Sequence, residues 1–154
     1  MNRINILLVS KNRLLTDGLS YLLTQVYGFC CETFVYSNFE QLLPRIRSYV
    51  PHIIFWELEN NDTRFFDILE NIKQRFPKTK ILVLARSEHK NQIGQLIKSG
   101  INGILMNDAG GDELREAFYS LRSGYDYYSK SISNYLVSIL SEQPDEKIRK
   151  PYEN

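Results

Sequence analysis

The segment "PHIIFWELENN", residues 51–61, leaves a proline, runs through four apolar strand-favouring residues, Ile53 to Trp56, and stops on a carboxylate, Glu57. A carboxylate at the end of an apolar strand can attack an electrophile, hold a hard cation, or be neutralised by a neighbouring positive charge. Other residues stand just after comparable apolar runs: Ser10 and Lys11, Ala85 and Arg86, Asn107 and Asp108. An ion pair between Lys11 and Glu57 is expected, with a water-solvated Glu57 as the plainer alternative, since an exposed pair contributes only about 0–1 kcal/mol. No nucleophile–base pair stands in this set, and "SKNRLLTDG" after the first run is neither a G-x-G-x-x-G nor a Walker loop.

The remaining reactive residues read as structural. His52 begins the third run, at the end away from Glu57, and His89 falls in the first turn of a helix, where it is expected to face solvent. Cys30 and Cys31 are adjacent; on a strand they point to opposite faces, a disulfide between them would be strained, and no Cys–His spacing forms a metal motif. Trp56, among apolar neighbours, is a core residue.

The elements that must position these groups follow from periodicity. The 154 residues are 43% hydrophobic and 24% charged, which suits one globular domain with a real core and a short appendage. The formal net charge of +1 gives neither a broad basic surface for nucleic acid nor an acidic bias. No apolar run approaches the ~20 residues that span a membrane, and "MNRINILLVS" lacks a signal-peptide cleavage pattern, so the expected location is the cytoplasm.

Short apolar runs alternate with helical periods. Strands are expected at "INILLV", "CCETFVY", "HIIFW", "KILVLA" and "GILM". The first helix spans about Arg13–Val26, with Leu15, Leu19, Leu22 and Val26 inward and Leu14 and Leu23 widening the stripe. The second follows a capping box, Ser37 to Glu40, carries Phe39, Leu42, Leu43 and Ile46 inward, and contains Pro44, which should kink or shorten it. The third covers about Asp62–Phe76 and is stopped by Pro77; the fourth follows Ser87 as N-cap; the fifth follows "AGGDE" with Leu114, Ala117, Phe118 and Leu121 inward. Such βα repetition implies a parallel sheet covered on both faces, with the functional crevice outside the carboxyl ends of its strands. A further helix is expected from Ser129 with Ile132, Leu136, Ile139 and Leu140 on one side, then a polar tail. The domain division is 1–125, a compact α/β unit; 126–142, a C-terminal helix or linker; and 143–154, a tail.

The stretches "INILLVSKNRLLTDGLSYLL", "PHIIFWELEN", "FPKTKILVLARSE", "IKSGINGILMNDAGGDELREAFYSLRSG" and "YYSKSISNYL" resemble the receiver domain of bacterial response regulators, and within it the NarL/LuxR class. The resemblance covers residues 4 to about 140; "T-D-G-L" and "G-I-N-G-I-L" are its more telling parts. It implies a flavodoxin-like (CheY-like) doubly wound α/β fold, five parallel strands in order 2-1-3-4-5, here with an extra C-terminal helix. It further implies a phosphoacceptor Asp ending the third strand, an acidic pair holding Mg²⁺ after the first, a Thr or Ser after the fourth and a Lys after the fifth. Those parts make sense for phosphoryl transfer, which needs a carboxylate nucleophile, a hard cation and a positive charge on the equatorial oxygens.

This chain departs from the pattern at each of those positions. Glu57 stands at the phosphoacceptor, Ser10 and Lys11 at the acidic pair, Ala85 and Asn107 at the Thr and Lys positions, Asn60 and Asn61 where the family has Met-Pro, and Ile104 at the aromatic switch position. No Mg²⁺ site and no cofactor are expected, because Lys11 places a positive charge where a ligand should be. The expected function is a phosphorylation-independent pseudo-receiver, not an enzyme: a signalling and dimerisation module from the N-terminal part of a LuxR-type transcriptional regulator. The alternative is a receiver still phosphorylated in a phosphorelay. A homodimer is expected through the first or fifth helix, with Leu14, Leu23, Tyr119, Tyr125, Tyr127 and Tyr128 as candidate interface residues, unless the tyrosines pack under the C-terminal helix instead. DNA would be bound only through a helix-turn-helix domain outside these residues, and no membrane contact is expected.

Overall fold

The computed structural model describes residues 4–34, 41–59, 64–133 and 135–137. The expected capping box at Ser37 and Glu40, Phe39, the pair Asn60 and Asn61, Ile139, Leu140 and the 143–154 tail lie outside the described residues.

Apolar strand runs and amphipathic helices alternate as the periodicity predicts. The strands are β1 (Asn5–Val9), β2 (Cys30–Phe34), β3 (Ile53–Glu57), β4 (Lys80–Ala85), β5 (Gly103–Met106) and β6 (Tyr127–Tyr128). The helices are α1 (Arg13–Tyr21), α2 (Leu42–Ser48), α3 (Phe65–Arg75), α4 (Ile93–Lys98) and α5 (Gly111–Arg122). All strand pairs are parallel, in the order β2-β1-β3-β4-β5-β6. The order 2-1-3-4-5 is therefore present, with an unexpected sixth strand on its edge.

β3 is apolar on both faces because both faces are covered. Ile54 and Trp56 join the core beneath α2, α3 and α4, where Leu42, Ile46, Phe65, Leu69, Ile93 and Leu96 are buried. Ile53 and Phe55 point the other way, to Leu23 of the first helical segment and to Leu114 and Phe118 of α5. Trp56 lies 4.4 Å from Phe65, ring centroid to centroid. His52 sits at the far end of the strand, as expected: its Nδ1 accepts from the Asn5 N–H at 2.9 Å, and its backbone extends the ladder to β1 and β4.

Four local expectations change. α1 gives way to a wider π-helical turn, Leu22–Val26, closed by a hydrogen bond from the Tyr27 N–H to the Leu22 carbonyl. A wider turn advances the side chains by a smaller angle per residue, so Leu22 and Leu23 both turn inward and Val26 swings out. Leu23 is fully buried and Val26 is 57% exposed, the reverse of the simple 3.6-residue expectation. Gly28, at φ +75°, then lets the Phe29 N–H reach back to the Leu23 carbonyl. Pro44, expected to kink or shorten α2, sits in the first turn of a helix of only seven residues, where its missing N–H has no intrahelical partner to lose.

The segment before α4 is a 3-10 turn, Ser87–Gln92, and Ser87 is not its cap. His89 folds back three residues, and its Nδ1 accepts the Arg86 N–H at 3.0 Å while the His89 N–H donates to the Arg86 carbonyl. His89 is buried, 2% exposed, not solvent-facing. An imidazole accepting at Nδ1 is the neutral tautomer, and burial, helped by the nearby Arg86 guanidinium, lowers its pKa from the ordinary 6.5.

The largest addition is at the sheet edge. After α5 and Gly124 (φ +93°), Tyr127 and Tyr128 pair with Gly103 and Ile104 as β6. Gly103 permits this: a Cβ there would clash with the Tyr127 carbonyl and with Leu82. Residues 130–133 and 135–137 are helical, Ile132 is buried in the α2–α4 core, and Tyr135 and Leu136 pack on it. Glu113 of α5 anchors this segment: its Oε2 accepts from the Ser129 hydroxyl at 2.8 Å, the Lys130 N–H at 2.7 Å and the Tyr127 hydroxyl at 3.0 Å. None of the described helices is long and apolar enough to cross a membrane.

Burial alone would raise the Glu113 pKa, but those hydrogen bonds outweigh it and hold the carboxyl below its ordinary value of 4.5. A depressed folded-state pKa stabilises the fold above the unfolded-state pKa, and that contribution is lost as pH falls through the folded one. Glu113→Ala should therefore cost about 1–2 kcal/mol at neutral pH. Urea denaturation across pH should show the gap between variant and wild type shrinking below about pH 4, and amide exchange at Ser129 and Lys130 should quicken.

Candidate functional site

The carboxyl ends of β1, β3, β4 and β5 meet in one crevice, and the strand pleat decides which side chains enter it. Leu8, Phe55, Leu84 and Leu105 belong to the α1–α5 face of the sheet. Two residues further along each strand lie Ser10, Glu57, Arg86 and Asn107, on the same face. Val9, Ala85 and Met106 belong to the opposite core.

Glu57 accepts at both oxygens. The Ser10 hydroxyl donates to Oε1, and the Arg86 Nη1 donates to Oε2 at 3.2 Å. Ser10 is 3% exposed, and its Oγ in turn accepts the Asn12 N–H at 2.9 Å. Asn12 N-caps α1, its side chain accepting the Leu15 N–H at 3.1 Å. Arg86 also lies 3.6 Å from Glu88 through Nε. The side chains of Glu57 and Arg86 are 13% and 28% exposed, so this pair is screened less than one at the surface.

The expected partner of Glu57 is thereby corrected. Lys11 lies past the end of β1 and is exposed, and among the described residues the cation on Glu57 is Arg86. The sequence reading placed Arg86 at the crevice without giving it this role. The pleat was the available signal, since Arg86 has the same parity as Leu82 and Leu84. Asn12 was missed as well, although an Asn just before a helical period is a cap signal.

The other residues singled out in the sequence are placed as follows. Ala85 is fully buried, and its carbonyl accepts the Asn107 N–H at 2.9 Å. The Asn107 side chain is exposed at the crevice mouth. Ile104 is fully buried, and its carbonyl accepts the Ser129 N–H from the segment that covers β5. Mg²⁺ does not fit this donor set: Glu57 is already engaged by a hydroxyl and a guanidinium, and the cation would face Arg86 directly. Among the described residues no group of three or more His, Cys, Asp or Glu side chains is placed to hold a metal ion.

α1 and α5 lie side by side on one face of the sheet. The Tyr27 hydroxyl donates to the Gly111 carbonyl at 2.9 Å, and Arg115 sits 5.8 Å from the Tyr27 ring. On the outer surface of this layer Leu14 is 83% exposed, and Tyr21, two helical turns on, is exposed too. Tyr119 and Tyr125 are exposed. Leu23 is removed from the candidate interface by its burial. Tyr127 and Tyr128 are half-buried in β6, the former packed toward α5 and the latter toward the α2–α4 core.

Comparison with known proteins places this geometry. No family model matches the chain. Over 136 residues it is 26% identical to a nitrate/nitrite response regulator protein homolog of Haemophilus influenzae, covering 88% of this chain and 65% of that protein. It is 22% identical to the transcriptional regulatory protein DegU of Brevibacillus brevis, covering 57% of that protein. The chain thus spans roughly three-fifths of the length of these curated relatives. Among solved structures, a LuxR-family two-component response regulator from Aurantimonas sp. SI85-9A1 superposes with a TM-score of 0.80 at 16% identity, over 92% of this chain and all of that one. The isolated receiver domain of RcsB from Salmonella enterica serovar Typhimurium, solved with the phosphomimetic BeF3-, superposes with a TM-score of 0.73 at 19% identity, over 86% of this chain and 98% of that one. The fold is that of a response-regulator receiver, and the sequence is similar, at 21–26% identity, to curated transcriptional and response regulators.

Removing one partner of a half-buried charge pair leaves the other unsatisfied. Arg86→Ala is expected to lower stability by about 1–2 kcal/mol, and Lys11→Ala to stay within about 0.5 kcal/mol of wild type. Paired urea titrations check this, and equal losses would return Lys11 to the site.

Proposed function

We propose that this chain is the receiver module of a LuxR-type transcriptional regulator, in the cytoplasm, and that it signals without a phosphoryl group on Glu57. The observation that carries this is the state of the Glu57 carboxylate. Both oxygens are held, by Ser10 and Arg86, in a crevice whose donor set does not suit Mg²⁺. A phosphoryl donor would have to break the Arg86 contact to reach the carboxylate, with neither metal nor lysine to neutralise the developing charge. Arg86 instead supplies a permanent counter-charge to Glu57.

A second reading, a receiver still phosphorylated in a phosphorelay, has its own support, and the comparisons speak for it more directly than for the first. The relatives are named as response regulators, and a similar domain was solved with a phosphomimetic. In that case Arg86 would turn from Glu57 to the phosphoryl oxygens, a role a guanidinium can fill.

The assembly proposed is a homodimer through the outer faces of α1 and α5. These helices share one layer, and Leu14, Tyr21, Tyr119 and Tyr125 expose apolar area there. Gly18, between Leu14 and Tyr21 on the same helical face, has open space around it, which would let a partner approach the backbone closely. Solved RcsB dimers bound to DNA lend support from a protein of the same fold.

The two readings separate on treatment with acetyl phosphate and Mg²⁺ followed by intact-mass measurement. No added phosphoryl mass is expected; a stoichiometric adduct mapped to Glu57 would establish the second reading. Light scattering at rising concentration should report a dimer that Leu14→Glu or Tyr21→Glu weakens about tenfold or more, and a strict monomer throughout would end the dimer proposal for this chain.

A further inference from the structure

The crevice continues inward as a pocket of about 420 Å³ between α1, the sheet and the start of α5. Its size falls within the range of small-molecule sites. Its walls are apolar: Leu15, Leu19 and Leu22 from the first helical segment face Phe55 and Leu105 across the opening, and Leu114 closes the end under α5. Leu15, Leu19 and Leu22 are only partly buried, so the core beneath them is not closed off from this side. The polar groups that line it, Asn12, Glu57, Arg86 and Asn107, all come from the crevice end.

The charges at that end are already matched. Glu57 is engaged by Ser10 and Arg86, and Arg86 also faces Glu88. An ionic ligand would meet no unpaired counter-charge and would lose its hydration on entry. An uncharged molecule would be free of that penalty. Its apolar body would displace water from leucine surface, gaining roughly 25 cal/mol per Å² buried. The exposed Asn107 amide can both donate and accept, and Arg86 carries more N–H groups than its contacts with Glu57 and Glu88 engage.

We propose that this pocket is a binding site for a small uncharged molecule of one or two rings. Its hydrogen-bonding group, a carbonyl, amide or hydroxyl, faces Asn107 and Arg86, and its apolar body lies between α1 and α5. The site rests on the first reading of Glu57, unphosphorylated and paired with Arg86; a phosphoryl adduct seen by intact mass would overturn that reading, whereas absent or displaced ligand shifts on the unmodified chain would overturn this site alone. It gives the crevice an input of its own: the ligand would touch both helices of the layer on which assembly is proposed.

The test compares indole-3-acetamide, indole-3-acetate and 3-methylindole by amide-resolved NMR titration of the full chain. Expected are saturable shifts confined to residues 12–22, 55–57, 84–86 and 105–114, with the acetamide binding at least about fivefold tighter than the acetate. Leu19→Trp and Ala109→Trp, which each fill the pocket from a different wall, should abolish the shifts while keeping a dispersed amide spectrum. If one of them fails to fold, the other decides, and the location of the wild-type shifts stands independently of both. No saturable binding by any probe, acetate binding as tightly as acetamide, shifts spread over other surfaces, or binding unchanged in a folded pocket-filled variant would each overturn the proposal.

Discussion

Burial of β3 on both faces is the constraint on which the rest of the structure depends. Ile53, Ile54, Phe55 and Trp56 are at most 4% exposed, and they divide between two cores. Each such side chain contributes about 1.5–3 kcal/mol, whereas an exposed ion pair contributes about 0–1 kcal/mol. Hydrophobic burial therefore sets where the strand lies and in what register, and charges at its end must accept the positions they are given. β1 and β4 pair with β3 on either side, and α1 and α5 cover one face while α2, α3 and α4 cover the other. The polar strand ends are carried together into one crevice as a consequence of that packing.

Within the crevice, the period-2 alternation of the strands does the selecting. Ser10, Glu57 and Arg86 extend the rows of side chains that face α1 and α5, and they form a connected set. The Ser10 hydroxyl donates to the Glu57 carboxylate, and the Arg86 guanidinium supplies the positive charge beside it. The arrangement leaves a crevice that is electrically matched and, behind its mouth, largely apolar.

At the other edge of the sheet, the chain after α5 turns back along β5 as β6. It can come that close because Gly103 has no side chain. The following helical segment begins under Glu113, which satisfies the Lys130 N–H and the Ser129 hydroxyl. Ile132 then enters the core on the α4 side. The helical segment after β6 is thus tied to both α5 and the main core.

The sequence by itself determined the α/β alternation, the five main strands, the inward face of α5, and the delivery of Glu57 to the end of a doubly buried strand. These are local consequences of hydrophobic period and turn chemistry, and each is written within a dozen residues. Only the tertiary structure decided which cation meets Glu57. Lys11 and Arg86 are both next to strand ends, but pairing depends on three strands and their shared face, a relation no single segment contains. The same holds for His89, whose burial follows from a turn folding back on Arg86, and for Leu23, which a wider helical turn moved from the surface stripe into the core. β6 and the Glu113 anchor were invisible for the same physical reason: Tyr127 and Tyr128 have no strand period of their own and become a strand only because β5 offers an open edge beside a glycine.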